Sequence, residues 1–159
     1  MKTRDLRTLV GLSAGLGLVV ALFAAAEFYD VSLQAVCSIN AFFSCAAVDA
    51  SGKTSTLGIP DYVWGVLGFV GILVVAAVSE ARSVDDRWTY GLVALTTAGV
   101  ALSVYLLYVE LAEIHALCLV CASDYLLVGI AWLGAIALAR RARSESSGVA
   151  PKRRTDAPG

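Results

Sequence analysis

Four apolar stretches limit what this chain can fold into. They run Leu9 to Phe28, Tyr62 to Ser79, Trp88 to Tyr108, and Cys118 to Ala139. Each is close to the roughly 20 residues a helix needs to cross a bilayer core. None has a polar face, so they do not read as helices lying against water. Small residues recur inside them, as in "GLSAG" and "LGFVGIL", and such residues let lipid-embedded helices approach closely. With 58% hydrophobic and 16% charged residues in 159, the composition departs from that of a soluble domain. The expected fold class is an all-α membrane protein, a four-helix transmembrane bundle with a long outer loop between its first two helices. The bundle domain is expected over residues 1–143 and a disordered cytoplasmic tail over 144–159, where "SESSGVAPKRRTDAPG" is polar and rich in Gly, Pro and Ser. The first stretch also resembles a signal peptide, with "ALFAAAE" as a cleavage site. Its apolar core exceeds the usual ~7–15 residues, which favours an uncleaved helix.

Charge placement gives the orientation. Lys2, Arg4 and Arg7 precede the first stretch, Arg82 and Arg87 separate the second from the third, and Arg140, Arg141, Arg143, Lys152, Arg153 and Arg154 follow the fourth. Only Lys53, of 12 basic residues, falls on the other side. By the positive-inside rule both termini are cytoplasmic, in a multi-pass plasma-membrane protein. The basic residues form no stripe interleaved with aromatics, which argues against nucleic acid as a partner.

That orientation puts all four cysteines on the outer side, where disulfides persist. Cys37 and Cys45 lie in the first outer loop; Cys118 and Cys121 form a CxxC at the mouth of the fourth stretch. Sulfurs at i and i+3 share one helix face and can bridge. A helix N-terminus favours a thiolate, while lipid burial favours the neutral thiol, so the membrane surface is where the two effects meet. Such a pair can exchange with aqueous thiols and also meet a quinone dissolved in the bilayer. The loop pair suits a relay. Structural disulfides, a thiolate metal site and cysteines serving as small hydrophobes are the competing readings; the metal reading is weakened because the second pair lacks a short knuckle spacing.

The remaining polar residues read more plainly. His115, Glu110 and Glu113 look like solvated loop residues, and Asp124 like a first-turn charge that complements the helix dipole. "LQAVCSINAFF" is apolar enough for a short helix at the membrane surface.

Taken together, Cys37-x7-Cys45, Ser51, "GIP" at 58–60, Trp64-Gly65 and "CLVCASDY" resemble the vitamin K epoxide reductase family over Leu9 to Ala139. The resemblance implies a bundle around a quinone pocket, with Cys118 and Cys121 as the active-site pair and Cys121 at the quinone. Cys118 would exchange with Cys45, and Cys37 would meet an external thioredoxin-like partner. Ser51, Asp61 and Tyr125 would be quinone-binding, Asp61 standing where animal members carry an asparagine. The co-substrate would be a menaquinone, ubiquinone or vitamin K type quinone, with no metal. Many bacterial members carry a fused thioredoxin-like domain; this chain ends soon after the fourth stretch, which implies a separate partner. An unrelated quinone-linked disulfide generator, also a four-helix membrane protein, has its cysteine pairs in the reverse order. The alternative from a different class is a non-enzymatic membrane protein with structural disulfides or a cysteine metal site.

Overall fold

In the computed structural model, residues 3–53, 55–81 and 86–148 are described. Four long helices carry the apolar stretches: α1 (Thr3–Tyr29), α4 (Asp61–Ala81), α5 (Asp86–Val109) and α6 (Leu119–Gly148). All four contain segments long and apolar enough to cross a membrane. Two short helices, α2 (Val31–Cys37) and α3 (Cys45–Ala50), and a hairpin of β1 (Ser55–Thr56) and β2 (Ile59–Pro60) fill the first loop. The surface-helix expectation over residues 33–43 is met only through Cys37. Beyond it the chain turns, with Asn40 Oδ1 accepting from the backbone N–H of Phe42 and Phe43 at 2.9 Å each.

The long helices pack in a ring. α1 lies between α4 and α6, and α5 closes the ring against the same two. Leu6, Val10, Ala14 and Ala21 of α1 meet Phe69 and Ile72 of α4, Leu92 of α5, and Val128, Ala135 and Leu138 of α6 in one buried core. Outward-facing Leu16, Val74, Val104 and Leu133 are each more than half exposed. Apolar exposure along every long helix suits a lipid surround and would be a liability in water.

Two boundaries differ from the sequence reading. α6 continues to Gly148, five residues into the segment expected as tail; residues 149–159 lie outside the described residues. Lys2 and Arg82, used for orientation, also lie outside them. α1 begins at Thr3, because helix geometry tolerates the polar "TRDLR" turn that a hydropathy reading leaves out.

Close helix approach depends on Gly17. A Cβ there would overlap the ring of Phe69, which is 4% exposed. Gly17→Val is therefore expected to cost about 1–3 kcal/mol through overpacking, read as a lower thermal midpoint in detergent. Pairing it with Phe69→Leu should recover much of the loss. A variant melting with the wild type would mean that the ring moves freely.

Candidate functional site

The site is built where the first loop meets the start of α6. Asp30 caps α2 through its Oδ1, which accepts from Ser32 N at 2.9 Å, and these bonds hold its carboxyl below its ordinary range. Ser44 caps α3 by accepting from Ala47 N at 3.1 Å. The two caps set the helix starts that place Cys37 at the end of α2 and Cys45 at the beginning of α3. These two cysteines form a disulfide with Cα atoms 5.6 Å apart.

Backbone pairing then brings the loop to the CxxC. Phe43 and Leu117 form a parallel bridge, with Leu117 N donating to Phe42 O at 2.7 Å and Ser44 N to Leu117 O at 3.2 Å. Residues 44 and 117 immediately precede Cys45 and Cys118. The bridge therefore presents the two sulfurs to each other, 3.1 Å apart and both buried. A free loop is not what positions Cys45; it is held in register.

Cys118 occupies the residue before α6, and its Sγ accepts from the backbone N–H of Cys121 at 3.3 Å. This is the geometry of a side-chain cap, with sulfur in the role that serine oxygen usually fills. Both cysteines of the CxxC are free thiols, Cys118 buried and Cys121 partly so. The sulfurs of Cys37, Cys45 and Cys118 all lie within 4.8 Å of one another. Two of the three are bonded together, so the arrangement suits thiol–disulfide exchange.

Glu110 corrects the sequence reading most sharply. Expected as a solvated loop charge, it is 4% exposed. Its Oε2 accepts from Cys118 N at 3.2 Å and its Oε1 from the Tyr125 hydroxyl at 2.8 Å. The reason is local: α5 runs on into a π-helical turn, Glu110–Ile114, which rotates Glu110 inward. His115 ends that turn in the left-handed region (φ 58°) and is exposed. Glu113 does face solvent, paired with Lys53 at 2.5 Å.

Beneath the cysteines lies a cavity of about 420 Å³, within the size range of small-molecule sites. Cys118, Cys121, Tyr125, Asp61 and Glu110 are on its wall, with apolar Phe69, Ile72 and Leu102 deeper. Asp61 is anchored by the hairpin. Leu57 and Gly58 both take positive φ, the turn folds back, and Thr56 Oγ1 donates to Asp61 Oδ1 at 2.6 Å. Trp64 Nε1 donates to Thr56 O at 3.2 Å, so the "GIP…W" motif serves to fasten the hairpin to α4. Ser51 is not on the wall. Its hydroxyl is engaged at the end of α3, donating to Val48 O at 2.6 Å and accepting from Lys53 N at 3.1 Å.

Asp124 also departs from its expected part. It is six residues into α6, past the first turn, and it makes no cap; its Oδ1 is buried without a hydrogen-bond partner. Glu27 Oε1 is in the same condition, on a residue 2% exposed, and both residues line the cavity. The sequence contained a signal for Glu27 that went unread, since a carboxyl inside a membrane-length apolar run is a functional candidate by default. Asp49, on α3 at the cavity wall, has its carboxyl pushed up by burial, opposed by a hydrogen bond from Gln34 Nε2 at 3.2 Å.

Paired cysteines on a membrane bundle, a buried inter-pair sulfur contact and an apolar cavity below agree with one comparison. The model of the Vitamin K epoxide reductase family matches residues 8–136, which is most of the chain. This four-helix membrane protein therefore belongs to the vitamin K epoxide reductase family.

Proposed function

We propose that the protein is a quinone-linked thiol–disulfide oxidoreductase. It takes electrons from a thioredoxin-like dithiol partner at the outer face and passes them to a membrane quinone, supporting disulfide formation outside the membrane. The observation that carries this reading is the 3.1 Å contact between Cys45 and Cys118, which couples the loop pair to the pair at the cavity. Family membership supports an oxidoreductase of this class.

The chemistry follows the sulfurs. A partner dithiol reduces Cys37–Cys45 by exchange. Cys45 then attacks Cys118 in an oxidised Cys118–Cys121 pair, and Cys37 closes back on Cys45. The loop disulfide is restored and two thiols are left at the cavity, the arrangement observed here. Cys118 and Cys121 next give two electrons to the quinone, so two S–H bonds are lost and hydroquinone gains two O–H bonds. A quinone head fits the cavity by its mixed wall: apolar side chains below, with carboxyl and phenol oxygens near Cys121. Asp61 and Tyr125 are the groups we assign to its carbonyl oxygens: the Tyr125 hydroxyl turns from Glu110 to one of them, and Asp61 donates to one in its protonated form. Menaquinone, ubiquinone and vitamin K types all satisfy this chemistry. Lys53 apart, the basic residues support cytoplasmic termini in the plasma membrane and cysteines outside.

The test is quinone reduction by the purified protein, driven by a reduced thioredoxin-like dithiol, with Cys121→Ala alongside. Turnover in the wild type that is lost in the variant is expected. No turnover in folded wild-type protein with naphthoquinones and benzoquinones would shift the reading to structural crosslinks.

A further inference from the structure

The cavity wall has an unusual number of acidic groups for a membrane-embedded site, and most of them are accounted for. Glu110 accepts from Tyr125 and Cys118, Asp61 from Thr56, and Asp49 from Gln34. Lys53 at the wall pairs with Glu113. Among the described residues two buried side-chain oxygens have no partner, Glu27 Oε1 and Asp124 Oδ1, and both belong to the wall of this cavity. Native interiors rarely leave such atoms unsatisfied, and in hydrocarbon surroundings the omission is costlier still. Both face the cavity, where a bound molecule or water supplies the partner that the protein does not.

Their positions are informative. Asp124 is three residues after Cys121, on the same face of α6 and one turn deeper. Its Oδ2 faces α4 where α4 is glycine: a Cβ at Gly65 would lie 3.7 Å from that oxygen and 3.4 Å from the Ala21 Cβ of α1. Asp124 is thus level with Ala21. Glu27 is six residues further along α1, roughly 9 Å nearer the cysteine end by the helix rise. Gln34 ties its carbonyl (3.2 Å) to the Asp49 carboxyl at the loop. Two carboxyls on one cavity wall therefore stand at successive levels, Glu27 nearer the cysteine end of α1 and Asp124 one turn below Cys121.

We propose that Asp124 passes protons to the quinone oxygens during reduction and is resupplied from the outer aqueous face through Glu27. This rests on the quinone-linked reading above. The balance is complete. Two electrons leave the Cys118 and Cys121 thiols as their S–S bond forms, and the two thiol protons are released to the outer face. Two protons enter successively by Glu27 and Asp124, and the quinone becomes hydroquinone. The path is needed because the thiol protons leave at the sulfurs, whereas the two ring oxygens lie on opposite sides of the head.

The experiment compares wild type, Asp124→Asn, Asp124→Glu and Glu27→Gln in detergent. It uses short-chain menaquinone and ubiquinone analogues with dithiothreitol as reductant, in H2O and D2O. Reduction of the Cys37–Cys45 disulfide by dithiothreitol without quinone serves as the quinone-independent control. Asp124→Asn is expected to lower kcat by about 10²-fold, the low end of proton-transfer effects, with KM for the quinone nearly unchanged. Asp124→Glu should restore most of the rate, and Glu27→Gln should lose about tenfold with a larger solvent isotope effect. The control should stay at the wild-type rate throughout. An unchanged kcat in Asp124→Asn would overturn the proposal. So would a loss that Asp124→Glu does not rescue and that the control shares, since that marks a structural role. A wild type inert toward both quinones would instead remove the oxidoreductase reading itself, and this proposal with it.

Discussion

A Cys37→Ser/Cys121→Ser chain, left with Cys45 and Cys118 alone, is expected to form an intramolecular disulfide nearly quantitatively under mild oxidation. The two sulfurs are 3.1 Å apart and buried, and the Phe43–Leu117 bridge holds the backbone on both sides. Two thiols held in such contact close without the loop-ordering cost that a free segment would carry. Peptide mapping under non-reducing conditions reads the bond directly. Cys45→Ser/Cys121→Ser, which leaves Cys37 with Cys118, should crosslink more slowly, because Cys37 is at the end of α2 and not beside the bridge. Two free thiols persisting in the first variant, or equal rates in both, would mean that the loop is not held in this register. The electron relay would then need a different route.

The second large effect is expected at Glu110. Glu110→Leu removes both acceptors and leaves the Tyr125 hydroxyl and the Cys118 N–H buried without partners. At about 1–3 kcal/mol for each of two orphaned donors, the variant should lose roughly 2–6 kcal/mol of stability. Glu110→Gln keeps one carbonyl oxygen, so it can accept from one donor and should fall between the two. Denaturant or thermal unfolding in detergent gives the ordering. Equal stability of wild type and Glu110→Leu would show that water replaces the carboxylate and that the network is not what fixes the start of α6. Because Cys118 caps that helix, the same change should also slow the crosslink between Cys45 and Cys118.

Membrane class, helix number and the grouping of the cysteines were legible because each depends on quantities the chain displays directly. A span of apolar residues has a length, basic residues have positions, and a CxxC has a spacing. Glu110 was not legible. Its inward turn requires the π-helical segment at Glu110–Ile114, and nothing in "ELAEI" distinguishes that from a loop. Asp124 was not legible as a cavity group, because nearness to the start of the apolar run suggests capping, whereas it is the sixth residue of α6 and past the first turn. Glu27 was legible in principle, as a carboxyl within a membrane-length helix, but its burial and missing partner required the packed bundle. Ser51 illustrates the opposite limit. A motif position placed it near the quinone, while the local hydrogen bonds place its hydroxyl at the end of α3.

The sequence by itself determined the apolar surround and the four helices, because hydrophobic length acts locally along the chain. The tertiary structure decided which sulfur faces which, and which carboxyls are bonded and which stand alone in the cavity. Those outcomes depend on atoms brought together from positions far apart in the chain, 73 residues in the case of Cys45 and Cys118. Their pairing is settled by a backbone bridge and a π-helical turn whose energies no local pattern encodes.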